Sequence, residues 1–173
     1  CAQADWLSAS RLPWPLGTLM SMFRKSLKAE YFGTLNGEGR SKVWETELDI
    51  EELGTGFLVR VHGTEQGPTE AQVAAFKELI SQARAIKVSS AKPVVDFLKS
   101  CEIIPNGVDL TSDNLWEHLT PSFIEVGSNN EYAAGSGPEG SVAITVGYEI
   151  PWEGEHLLQL AIIDGTFHRV YSE

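Results

Sequence analysis

Four side chains able to do chemistry, Trp152, Glu153, Glu155 and His156, fall within the five residues "WEGEH". Two carboxylates beside an imidazole could hold a divalent cation through oxygen and nitrogen, or could work as an acid–base pair. The stretch lies between two segments that read as β-strands, "VAITVGYEI" and "HLLQLAIID". On a strand, neighbouring side chains point to opposite faces, so Glu155 and His156 are expected to diverge. That argues against an active site within these five residues. It favours a structural reading, in which Pro151 stops one strand, Trp152 closes the core and the charged residues decorate the turn. The alternative, a metal-dependent hydrolase built on Glu153, Glu155 and His156 with help from His118, rests only on the local density of Glu and His.

The remaining inventory is sparse. The histidines are His62, His118, His156 and His168, and a zinc site would need about three of them, or His with carboxylates, to converge. "DG" at Asp164 and Gly165 is a two-residue hairpin signal. Counting outward from it sets Ile163 against Thr166, Ile162 against Phe167, Ala161 against His168 and His156 against Glu173. His156 and His168 are therefore not expected to be cross-strand partners. The chain has no phosphate-binding "GxxxxGK[ST]", no "GxSxG", no "HExxH" and no "CxxC". A second "WEH", at Trp116 to His118, has a helical setting and is read as a coincidence. Cys101 reads as a small core residue, and Trp44 and Trp116 as core aromatics. No cofactor is expected.

Charge is more telling. The net charge is −11 over 173 residues. Residues 1–101 balance twelve Lys and Arg against twelve acids, whereas residues 102–173 hold twelve acids against Arg169 alone. Such a field repels phosphate backbones and attracts basic proteins or cations. Nucleic-acid binding is not expected; a protein partner is. Glu125, Glu131, Glu139, Glu149, Glu153 and Glu155 are the candidates for that surface. No apolar run is long enough to span a bilayer. Cys1 and Cys101 do not make a disulfide framework, so a cytoplasmic setting is expected.

The elements that must carry these residues follow from periodicity. "YFGTLN", "KVWETELDI" and "FLVRVHG" read as three strands through short turns, with Trp44, Leu48, Ile50, Phe57, Val59 and Val61 facing inward. "GPTEAQVAAFKELISQARAI" switches to helical spacing, opened by a capping box of Thr69 and Gln72. "AKPVVDFLKSCEII" reads as a second helix with Pro93 in its first turn. A short third helix follows at "SDNLWEHLTP", capped by Thr111 or Ser112 and ended by Pro121. "SFIEVG", "VAITVGYEI", "HLLQLAIID" and "TFHRVYS" read as strands. The fold class expected is α+β: a mostly antiparallel sheet of N- and C-terminal strands against a central helical layer. One domain is expected over residues 23–173. Residues 1–22, with Trp6, Trp14 and "PWP", read as a tag, upstream or fragment sequence. The alternative is a lipoprotein end anchored through Cys1.

In order along the chain, "YFGTL", "VWETELDIEELGTGFLVRVHG", "GPTEAQVAAFKEL" and "YEIPWEGEHLLQLAIIDGTFHRV" resemble a group of uncharacterised bacterial domains of unknown function. These share a "YFG.L" opening and a closing W-x-x-E-H…DG hairpin. The resemblance covers about residues 31–171. The group often has Gly after the His where this chain has Leu157, and it offers no catalytic residues to carry over. The resemblance implies small cytoplasmic proteins encoded near polymorphic toxins, with an immunity role. The functional expectation is thus a non-enzymatic binding module that neutralises a basic partner; a purely structural or assembly role is not separable from it by sequence.

Overall fold

The computed structural model describes residues 24–127 and 140–172. The readings of residues 1–22, Glu131 and Glu139 lie outside them. The chain forms β1 (Arg24–Ala29), β2 (Gly33–Glu38), β3 (Val43–Ile50), β4 (Gly54–His62), α1 (Glu70–Ser100), α2 (Leu115–His118), β5 (Thr120–Val126), β6 (Ala143–Ile150), β7 (Glu153–Ile163) and β8 (Thr166–Ser172). One eight-stranded sheet runs in sequence order from β1 to β8. Every neighbouring pair is antiparallel except β4 and β5, which are parallel. A parallel pair needs a long crossover, and α1 supplies it.

The expected α+β arrangement, a sheet of N- and C-terminal strands against a central layer of three helices, is therefore incorrect. Among the described residues the fold is an eight-stranded mixed sheet with one long helix and a single further helical turn. The two helices read on either side of residue 90 are one helix of 31 residues with Pro93 inside it. Its buried stripe runs Phe76, Leu79, Ala83, Ile86, Ser90, Val94 and Leu98 without a break in spacing. Ser90 disguised that continuity: a polar residue occupies a core position. It is fully buried, and its hydroxyl donates to the Ile86 carbonyl at 2.6 Å. The helix start is as read. Thr69 Oγ1 accepts from the Gln72 N–H, while Gln72 Oε1 accepts from the Thr69 N–H at 2.8 Å. Gln72 also donates to the His62 carbonyl at 2.7 Å, which ties the helix start to the end of β4.

The core lies between α1 and one face of the sheet. Trp44, Ile50, Phe57, Val59 and Val61 are buried there, as their alternation requires. Phe32 stacks on Phe76 with ring centroids 4.2 Å apart, which fastens the β1–β2 hairpin to the helix. β1 itself had no alternating signal, since "RKSLKA" is mostly polar. Cys101 is exposed at the end of α1 rather than in the core, because the helix stripe passes through Leu98 and ends there. Asn114, not Thr111 or Ser112, precedes α2. Pro121 does not merely end that helix; it lies inside β5 next to a register shift, where a strand tolerates proline.

The candidate site, an acidic end of the sheet

β3 runs towards, and β4, β5 and β7 run from, the same end of the sheet, where β6 also finishes. Three chain segments meet there: the β3–β4 turn (residues 51–53), the start of β5, and the β6–β7 turn at Pro151 and Trp152. They are locked together. The buried Tyr148 hydroxyl of β6 donates to the Leu53 carbonyl at 3.3 Å. Gly54 lies so close to Pro121 that a Cβ on it would meet the Pro121 ring at 2.2 Å. Tyr148 also packs edge-on against Phe57 and tilts against Trp116. Burial pushes its phenol pKa well above the ordinary value, so the group remains a hydrogen-bond donor.

The β6–β7 turn corrects the reading of "WEGEH". Ile150 pairs with Glu153, yet Glu149 pairs with Leu157. Gly154, Glu155 and His156 thus form an excursion from β7 with no counterpart on β6, and strand alternation does not apply to them. Glu153 organises the excursion. Its Oε1 accepts the Glu155 backbone N–H at 3.1 Å and lies 3.2 Å from His156 Nδ1. These two hydrogen bonds, the backbone one first, hold its carboxyl below the usual range. One ligand atom from each of Glu153, Glu155 and His156 lies within 4.8 Å of the others. The two residues expected to diverge, Glu155 and His156, therefore share one site. With Glu149, Pro151 and Thr120 they line a hollow of about 460 Å³. Trp152 is half-buried against the core, as read. His118 packs edge-on to its ring at 5.6 Å and does not join the three-ligand group.

The proposed acidic residues divide. Glu149, Glu153 and Glu155 come together at this end. Glu125 does not: it lies mid-sheet on the face away from α1, opposite Arg60 and 3.9 Å from His62, while Arg60 bridges Glu45 at 2.9 Å. Three acids that the sequence reading missed lie at the same end of the sheet, across β4 and β5 from this group, namely Asp49, Glu51 and Glu52 of "ELDIEEL". They belong to the half of the chain whose charges balance, so a regional sum hid them; a segment-by-segment sum would have found them. Residues 49–57, 115–120 and 148–157, which build this end, contain no Lys or Arg. His168 is not opposite Ala161 as counted; a register shift sets Arg169 there instead. The Asp164–Gly165 turn and its first two pairs are as read, with both residues at positive φ.

Fold and site together define a mixed-sheet domain with an acidic, solvent-facing end and no catalytic motif in its sequence. The chain belongs to the family described as Domain of unknown function (DUF6985), whose model matches residues 31–172. A search of the curated proteins gives no match, and neither does a search of the solved structures. Among the described residues no helix is long and apolar enough to cross a membrane.

Proposed function

We propose that this chain is a non-enzymatic protein-binding module that engages a basic protein partner through the acidic end of its sheet, in the manner of an immunity protein neutralising an effector. One observation carries the reading. Asp49, Glu51 and Glu52 of β3 and its turn lie at the same end of the sheet as Glu149, Glu153 and Glu155 of β6 and β7, and the turns at that end carry no Lys or Arg. Like charges repel one another, so gathering them costs stability unless a partner of opposite charge uses the field. Such a surface accelerates encounter and rejects acidic competitors more than it adds raw affinity. The test is co-purification and calorimetry with the product of the neighbouring gene. Binding should weaken as salt rises and should fall on Glu153→Lys with Glu155→Lys. Binding indifferent to both would defeat the reading.

A second reading, a metal-dependent hydrolase, is favoured by the 4.8 Å grouping of Glu153, Glu155 and His156. Two oxygens and one nitrogen suit zinc or manganese, with open positions left for water. A purified protein that contains no metal, and whose melting temperature is unmoved by zinc or manganese, would remove this reading.

A further inference from the structure

The sheet is not evenly zipped. β1 and β2 pair over six residues and β3 and β4 over seven, but β2 and β3 pair only at Asn36–Glu45 and Gly37–Trp44. Beyond Glu45 the two strands part, because the β1–β2 hairpin is drawn to the helix by the Phe32–Phe76 stack. The fork has three properties of a strand-docking groove.

Among the described residues its backbone is unpaired on one side. The Gly63 N–H donates to the Lys42 carbonyl, so by antiparallel alternation Trp44, Thr46 and Leu48 turn their peptide groups to β4. Glu45 and Glu47 turn theirs to the β2 side. Glu45 meets Asn36 there; on that side no strand among the described residues pairs with Glu47, whose neighbour on the other side is Leu58 of β4. Its core side is incompletely covered. Thr46 and Leu48 face the helix side yet stay half-exposed, whereas Trp44 and Ile50 on the same side are buried. Its outer side is acidic and open. Glu45, Glu47 and Asp49 project there in alternation, beside the exposed Leu58. A hollow of about 510 Å³ opens at the paired end of the fork, lined by Arg24, Asn36, Glu38, Glu45, Thr46 and Leu58 among others.

We infer that the β2–β3 fork receives an extended, basic segment of the partner, added as a short strand along β3. Its Lys or Arg side chains at alternate positions meet Glu47 and Asp49, and an apolar residue between them covers Leu48. The period-two spacing of the acids selects an extended segment over a helix, whose side chains recur on one face at three and four. Arg60 already holds Glu45 and Asp49 accepts the Gly56 N–H at 2.7 Å, so Glu47 carries the largest share of the free charge along the strand. The inference rests on the proposed function and narrows its partner from a basic protein to a basic strand.

The experiment uses the full chain with a synthetic peptide of alternating lysine and valine. A control peptide of the same composition has its lysines in one block. Amide hydrogen exchange at Glu47 should slow by roughly tenfold with the alternating peptide and not with the control. Glu47→Pro removes the N–H on the fork side while leaving the β3–β4 hydrogen bonds in place. It should weaken the peptide by more than Glu47→Gln, which removes the charge alone. Circular dichroism confirms that each variant is folded, and exchange on the unaltered chain needs no variant. Equal binding of the two peptides, or binding without protection at Glu47, overturns the inference. If a basic partner still binds with salt sensitivity and loses affinity on Glu153→Lys, the proposed function stands without it. If no basic partner binds at all, both fall.

Discussion

Glu153 is the residue on which the acidic end turns. Its carboxylate accepts the Glu155 N–H and meets His156 Nδ1, and both interactions favour the charged form. The carboxyl pKa is therefore lowered on folding. Its stabilisation is complete above the ordinary carboxylate pKa and is lost as pH falls through the lower folded value. Glu153→Gln should melt earlier than the wild type at neutral pH, and the two should converge in acid; melting curves across pH read this directly. Gly147 shows the other kind of residue-level constraint. Phe123 lies across it from the neighbouring strand, and a Cβ there would meet the ring at 2.2 Å. Gly147→Ala should cost about 1–3 kcal/mol by overpacking, seen as a lower urea midpoint at unchanged slope. Neither role was legible in sequence, because each depends on a neighbour delivered by another segment.

Among the elements, α1 best separates what local sequence fixes from what it does not. The capping box at Thr69 and Gln72 was readable from two residues three apart, and the structure forms it. Thr69→Ala should lower stability by about 1 kcal/mol. That is a few degrees in melting temperature for a chain of this size. Pro93 was read as a helix start, since its missing N–H suits a first turn. It lies instead within the helix, where it forgoes one hydrogen bond, and the unbroken stripe from Phe76 to Leu98 against the sheet outweighs that loss. Pro93→Ala should thus raise stability by about 1–3 kcal/mol in chemical denaturation. The β6–β7 hairpin teaches the converse. "VAITVGYEI" and "HLLQLAIID" are strands as read, but the excursion at residues 154–156 suspends alternation where it mattered for Glu155 and His156.

Over the whole molecule, charge is the property that the fold redistributes. The net charge of −11 arises entirely after residue 101, which pointed to a C-terminal acidic surface. The sheet instead builds that surface from both halves, joining the β3–β4 turn to the β6–β7 turn through the Tyr148–Leu53 hydrogen bond. Tyr148→Phe removes this donor and leaves a buried carbonyl unsatisfied. It should cost about 1–3 kcal/mol in thermal or urea unfolding. If the two turns work as one surface, the variant should also weaken any salt-sensitive partner more than a surface Glu→Gln change of equal charge effect.

The sequence by itself determined the inward faces of β3 and β4, the start of α1, the Asp164–Gly165 hairpin and the sign of the field, because each rests on periodicity, capping or composition within a short window. Only the tertiary structure decided that one helix spans Pro93, that β4 and β5 run parallel, and that Glu155 and His156 share a site. The same holds for Asp49, Glu51 and Glu52, which come to the same end of the sheet as Glu149 and Glu153 across about a hundred residues of chain. Strand pairing and helix packing between distant segments set these features, and no local window of sequence contains both partners. "WEGEH" is not a pair of side chains facing opposite ways: an excursion without a counterpart on β6 brings its carboxylates and imidazole within reach of one another at one end of the sheet.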